Sequence, residues 1–245
     1  MSETAKVALV TGAARRIGAA IATRLHAAGY RLALHAHGSV AELDALCAGF
    51  ERRVPGSTLA LHADLADVDA LSLLVRDTVA RFGRLDAVVN NASNFFPTPL
   101  GEATPEQWDA LMAVNARAPF FLAQAAAPAL RRHGGCIVSL TDAGLAHPLP
   151  GHGAYTAGKG ALAALTAALA VELAPEVRVN AVAPGAILWP DAGKDAAAQV
   201  AVLSRTPLGR TGSPDEVAEA VRWLVEDARY LTGHTLVLDG GRGLG

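Results

Sequence analysis

Tyr155 and Lys159 stand four residues apart, and a carboxylate, Asp142, precedes the tyrosine by thirteen residues. These are side chains suited to proton transfer. Positions i and i+4 share one face of a helix, so the Lys159 ammonium is expected beneath the Tyr155 phenol, favouring its ionised form. Tyr155 is then a candidate proton donor. The run Tyr-Thr-Ala-Gly-Lys-Gly adds Gly158 and Gly160. A glycine inside a helix costs about 1 kcal/mol relative to alanine, which predicts that something approaches this helix closely.

The elements that must carry these groups follow from hydrophobic periodicity. Short aliphatic runs at 7–10, 31–34, 59–62, 87–90, 136–140, 177–182 and 235–238 alternate with longer helical patterns. The helices are expected to about Ala28, to about Arg53, through Phe82, between Pro105 and Arg132, around Tyr155 and after Pro214. Seven strands in strict alternation with helices predict a parallel, doubly wound sheet covered on both faces, an α/β fold. The whole chain, 1–245, reads as one domain without linker or repeat. The stretch 185–207 is interrupted by prolines around a short alanine-rich helix near Ala196 and is assigned as a substrate lid, with a variable surface loop as the alternative.

Composition narrows the function classes. With 51% hydrophobic and 18% charged residues, 245 residues suffice for one large buried core. A formal charge of −2 with scattered basic residues gives no footprint for nucleic acid or an anionic membrane. No uninterrupted run of 18 apolar residues appears, and the N-terminus lacks a signal-peptide pattern. Cys47 and Cys136 lie far apart without a metal or redox spacing, which fits a reducing cytoplasm. Of the pair His35 and His37, an HxH metal site would need a third ligand that the neighbouring sequence does not offer.

A phosphate-binding turn is expected after the first strand. Gly12 falls at its end and Gly18 at the start of the next helix, where exposed N–H groups and the positive helix end would receive a dinucleotide pyrophosphate. Rossmann-type proteins that bind NAD usually carry an acid at the end of the second strand. Here that stretch, His35-Ala-His-Gly-Ser39, has none, and Arg16, His37 and Ser39 could donate to a 2′-phosphate. NADPH is the expected cofactor.

The order Thr11-Gly12 through Gly18, Asp64-Leu65, Asn90-Asn91-Ala92, Asn115, Tyr155, Lys159 and Pro184-Gly185 covers nearly the whole chain and resembles the short-chain dehydrogenase/reductase superfamily. The resemblance implies a Rossmann-type fold and a nicotinamide cofactor, with Gly12, Ile17, Gly18, Leu65, Ala92, Pro184 and Gly185 among its contacts. It further implies that Asp64 meets the adenine, Asn91 braces the central strand, Asn115 relays protons, and Tyr155 and Lys159 hold the nicotinamide ribose. Taken one at a time, Asp64 could equally cap a helix, and the asparagines could form turns.

Ketone-reducing members of that superfamily mostly carry serine where Asp142 stands. Two negative charges about 4 Å apart at an effective dielectric near 20 repel by about 4 kcal/mol, so an ionised Asp142 opposes a developing alkoxide. It suits a substrate protonated at nitrogen, such as a C=N bond. Thr11 to Gly18, the run Asn90-Asn-Ala-Ser-Asn-Phe-Phe-Pro-Thr-Pro99 and the Asp142, Tyr155, Lys159 set resemble the pteridine reductase branch. That branch implies that Arg16 bridges cofactor phosphates and the pterin, that Ser93 touches either, and that Phe95 stacks on the pterin opposite the nicotinamide. An aromatic face suits a flat heterocycle; ordinary core packing is the alternative for Phe95 and the preferred reading for Phe96. Leu188 and Trp189, in Ala186 to Pro190, are expected to form a pocket wall, although Trp189 could equally be a packing residue. Gly38 departs from the branch, which often has arginine there and so a stricter clamp on the 2′-phosphate. The expected activity is NADPH-dependent reduction of a pterin or dihydrofolate; the alternative is a carbonyl reductase of the 3-oxoacyl-carrier-protein type. A homotetramer is the family expectation, with the helix face 161–173 at an interface.

Overall fold

The computed structural model describes residues 5–189 and 196–244. Seven strands run β1 (Val7–Val10), β2 (Arg31–Ala36), β3 (Thr58–His62), β4 (Ala87–Asn90), β5 (Cys136–Leu140), β6 (Arg178–Pro184) and β7 (Thr235–Leu238). They pair in parallel in the order β3-β2-β1-β4-β5-β6-β7. The chain reverses direction across the sheet between β1 and β4, so the crevice for a ligand opens at the carboxyl ends of these strands. Residues of β1, β4 and β5 are buried throughout, because helices cover both faces.

Among the described residues eight α-helices connect the strands: α1 (Arg16–Ala27), α2 (Val40–Arg53), α3 (Val68–Phe82), α4 (Pro105–Met112), α5 (Ala118–Arg131), α6 (Gly153–Leu173), α7 (Ala196–Ser204) and α8 (Pro214–Glu226). Their ends carry local signals. Ser213 accepts from Glu216 N while the Glu216 carboxylate accepts from Ser213 N, and Thr104 and Gln107 make the same reciprocal pair ahead of α4. One face of the sheet packs Ile21, Leu25, Leu43, Val217, Val221 and Leu224 from α1, α2 and α8. The other packs Leu71, Leu74, Leu122, Ala126, Leu169 and Leu173 from α3, α5 and α6. Fully burying one such large side chain stabilises the fold by about 1.5–3 kcal/mol.

Three details differ from the expected pattern. The helices expected between Pro105 and Arg132 are joined not by a loop but by a π turn, Ala113–Arg117, that carries Asn115 between α4 and α5. Strand β2 continues two residues past Leu34 and takes His35 into the sheet. Gly158 does meet a close neighbour, since a Cβ there would lie 3.1 Å from Asn115 Cβ, but at Gly160 the space is open. The second glycine is therefore not explained by packing within this chain.

Helix α6 is long and apolar enough by composition to cross a membrane, yet its buried residues, including Lys159 and Leu162, face the interior of the fold. Both cysteines are buried and free. In the stretch assigned as a lid, residues 190–195 lie outside the described residues; α7 follows them.

Candidate active site

The turn after β1 is built around close backbone approach. Gly12 has φ of +62°, and a Cβ on Gly18 would sit 2.1 Å from the Gly12 carbonyl oxygen and 2.6 Å from Asn91 Nδ2. Only glycine fits at Gly18 without displacing backbone. Asn91 Nδ2 donates to the carbonyls of Thr11 and Gly12 at 2.9 Å each, tying the loop after β4 to this turn. No side chain caps α1, and no acid lies in its first turn, so its leading N–H groups stay open to the crevice. This cradle fits a dinucleotide pyrophosphate. Arg16, the first helical residue, adopts φ of +54°, a strained conformation for a residue with a Cβ.

The groove over this turn, about 410 Å³, is lined by Gly12, Arg16, Ile17, Gly18, His37, Ser39, Asp64, Leu65, Asn91, Ala92 and Ser93. Every one of these is a residue expected to hold the cofactor. Ala14, Arg15, His35, Ala36, Gly38, Asn94 and Val114 complete the lining. Asp64 accepts from Ala66 N at 2.9 Å and stands 3.7 Å from His37 Nδ1, so an acid two residues past β3 reaches the segment that carries none of its own.

His35 does not share the role of His37. Buried in β2, it presents Nδ1 toward Gly12 N at 3.4 Å and Nε2 toward the Ala63 carbonyl at 3.0 Å, while its own carbonyl accepts from Ala13 N at 2.8 Å. A neutral ring with its proton on Nε2 satisfies both contacts. Among the described residues, no group of three or more histidine, cysteine or acidic residues is arranged to hold a metal. Burial lowers the His35 pKa. The unfolded chain therefore binds this proton at higher pH than the folded chain, and the neutral ring's stabilisation is lost as pH falls below about 6.5. We expect His35→Leu to cost about 1–3 kcal/mol at pH 7 by leaving buried backbone groups unpaired and to flatten the loss of stability between pH 7 and 5. Urea denaturation of both proteins across that range checks it.

The reactive trio meets at the ends of β5 and α6. Asp142 Oδ1 accepts from Gly144 N at 2.6 Å, which fixes the carboxylate, and Oδ2 accepts the Tyr155 hydroxyl at 2.6 Å. Lys159, fully buried, donates from Nζ to the Leu140 carbonyl at 2.7 Å. Its pKa is lowered by burial to about 8. The expected ionisation of Tyr155 by Lys159 is not what this arrangement produces. Burial, followed by the Asp142 charge and hydrogen bond, raises the tyrosine's pKa. Burial and the carboxylate on the phenolic oxygen both favour the neutral phenol, so Tyr155 keeps its proton.

Asn115 is completely buried. Its Oδ1 accepts from Ser93 Oγ at 2.9 Å and from Asn94 N at 3.1 Å, and its Nδ2 donates to the Asn94 carbonyl at 2.9 Å. It therefore holds the loop after β4, and it lines neither cavity.

A second, larger cavity of about 750 Å³ adjoins the groove and contains Arg16, Ser93, Phe95, Asp142, Tyr155, Lys159, Pro184, Gly185, Leu188 and Trp189. Phe95 is 56% exposed, which rules out core packing. Its ring stacks on His152 at 4.8 Å and meets Tyr155 edge-on at 4.7 Å. Phe96 is half-buried. The Trp189 carbonyl approaches Arg16 Nη2 at 3.4 Å, joining the two cavities at one side chain. Sequence reasoning missed His147, His152 and Arg242, which also line this cavity; the i−3 spacing of His152 from Tyr155 was the available signal for the second.

A sheet with a crevice of this kind, a glycine turn at its first helix and a Tyr-x-x-x-Lys pair define a dinucleotide-dependent oxidoreductase class. The comparisons agree. A family model described as Enoyl-(Acyl carrier protein) reductase matches residues 12–242. Pteridine reductase 1 of Leishmania tarentolae is 37% identical over 284 aligned positions, covering 99% of this chain and 98% of that protein. A putative ketoacyl reductase of granaticin polyketide synthesis from Streptomyces violaceoruber is 38% identical, covering 97% and 96%. The 3-oxoacyl-(acyl-carrier-protein) reductase FabG of Staphylococcus aureus is 36% identical, covering 96% and 97%. The chain belongs to the short-chain dehydrogenase/reductase family and is an oxidoreductase.

Proposed function

We propose that this enzyme reduces a C=N bond of a pterin or dihydrofolate with NADPH. The observation that carries the reading is the carboxylate of Asp142 on the Tyr155 hydroxyl at 2.6 Å. Phe95, exposed in the same cavity, meets that tyrosine edge-on and stacks on His152, and an aromatic ring there suits a flat heterocycle.

Bound along the glycine turn, NADPH supplies the hydride. Arg16, His37 and Ser39 would hold its phosphates, and Lys159 and Tyr155 its nicotinamide ribose. Tyr155, kept protonated, and Asp142 form the route along which a proton reaches a substrate nitrogen. Asp142 opposes negative charge and favours positive charge at that nitrogen. Asn115 positions Ser93 and Asn94 along one wall. In this reading the enzyme works in the cytoplasm as a homotetramer, for which the open space at Gly160 and the exposed Val171 on α6 leave room at an interface.

Carbonyl reduction is the second reading, favoured by the ketoacyl-reducing relatives of similar identity. Oxidation of NADPH and of NADH, followed at 340 nm with dihydrobiopterin, dihydrofolate and an acetoacetyl thioester, separates the two. The pterins are expected to turn over with NADPH preferred; preference for the thioester overturns the pterin reading.

A further inference from the structure

The C-terminal turn places a cation in the substrate cavity. After β7, Asp239 accepts from Gly241 N at 2.8 Å and from Gly243 N at 2.7 Å, one bond to each carboxylate oxygen. Gly240 accepts at its carbonyl from Leu208 N at 3.1 Å. Cβ atoms on Gly240 and Gly241 would lie 2.8 Å from Thr206 Cγ2 and 3.0 Å from Pro207 Cγ, and one on Gly185 would lie 2.8 Å from Asp239 Cα. The turn is thus seated tightly against the segment that follows α7 and against the loop after β6. Arg242 lies within it.

Arg242 lines the 750 Å³ cavity together with Leu188, Trp189 and Val202. Its side chain is half-buried, and no acidic group among the described residues pairs with it. The nearest acid in the chain, Asp239, has both oxygens bonded to backbone N–H groups. A guanidinium offers five donors in a rigid fork that matches a carboxylate, and its binding is strengthened where surrounding apolar walls exclude water. Held on an ordered turn, it loses little freedom on meeting an anion.

We propose that Arg242 binds the anionic tail of the substrate, which makes this site selective for pterins that carry a carboxylate distal to the ring, the chemistry of a folate, over pterins with a neutral side chain. This rests on the pterin reading. The ring is then held at Phe95 and Tyr155 and the tail lies along Leu188 and Trp189 toward Arg242.

The test compares wild type, Arg242→Ala and Arg242→Lys in three measurements: KM and kcat for dihydrofolate, the same constants for dihydrobiopterin, and dissociation constants for folate, biopterin and NADPH from quenching of tryptophan fluorescence. For Arg242→Ala we expect the dihydrofolate KM and the folate dissociation constant to rise by about tenfold or more with kcat little changed. The dihydrobiopterin constants should stay within twofold, and Arg242→Lys should recover part of the loss. Equal changes for both pterins, or none, overturn the inference while leaving pterin reduction intact. A rise confined to the NADPH dissociation constant also overturns it, because the cation then serves the cofactor phosphates. Reduction of neither pterin by the wild type brings down the pterin reading and the inference with it.

Discussion

Asp142→Ser is expected to lower pterin turnover by about 10²–10⁴-fold, the range in which positioned proton-transfer groups contribute, while the NADPH dissociation constant changes by less than about threefold. The carboxylate holds Gly144 N with one oxygen and the Tyr155 hydroxyl with the other, and a serine hydroxyl cannot bridge both. Removing the charge also removes the penalty on a developing alkoxide, so the same variant should gain activity toward an acetoacetyl thioester. Asp142→Asn keeps the shape and an acceptor oxygen without the charge, and it should lose pterin turnover without restoring the ketone reaction to the level of the serine variant. Steady-state kinetics on both substrates, with nucleotide binding followed by protein fluorescence, checks the set. Unchanged pterin turnover in the serine variant would sink the assigned role of the carboxylate.

Lys159→Met should reduce turnover by about 10²–10⁴-fold and change how stability depends on pH. Burial lowers the Lys159 pKa to about 8 in the folded chain, from an ordinary value of about 10.5 in the unfolded one. Between those values the unfolded state holds more protons, so the contribution of this lysine to stability rises with pH, by about 3 kcal/mol across the window, and is lost as pH falls back through 8. Tyr30 and Tyr155 have raised pKa values and act in the opposite direction above pH 10. The difference between wild type and Lys159→Met isolates the lysine. At pH 7 the variant sheds a buried ammonium but leaves the Leu140 carbonyl unpaired, a cost of about 1–3 kcal/mol that offsets most of the gain. Chemical denaturation at pH 7, 8, 9 and 10 measures this, and parallel stability curves for the two proteins would refute it.

The parallel sheet was legible because its central strands, β1, β4 and β5, are buried throughout and read as short, largely aliphatic runs. Several strand ends were legible too, where the run meets a polar residue as at Thr11, Asn91, Thr141 and Asp239, and Gly12, Asp64, Asn91, Asp142 and Pro184 stand near these ends. What sequence could not supply was the direction of individual hydrogen bonds. Four-residue spacing placed Lys159 on the same face as Tyr155, but it could not reveal that the ammonium turns to the Leu140 carbonyl or that Asp142 reaches the phenol first. His35 looked like half of a pair with His37 until strand pairing carried it into the sheet. Arg242 gave no signal, since only the seating of a glycine-rich turn from the chain's end brings it across to the cavity.

The π turn at Ala113–Arg117 has a consequence for how insertions and deletions are tolerated. An α-helix advances about 100° per residue and a π turn accommodates one extra residue without carrying that rotation forward. Upstream of it α4 buries Leu111, downstream α5 buries Leu122 and Ala126, and Asn115 lies between them, bonded to the loop after β4. Deleting one residue from this turn would restore regular winding and swing either the α5 alanine face out of the core or Asn115 off the loop. The length of this stretch is therefore constrained twice, by packing and by the site, while its composition is constrained at the buried Ala113, Asn115 and Ala116.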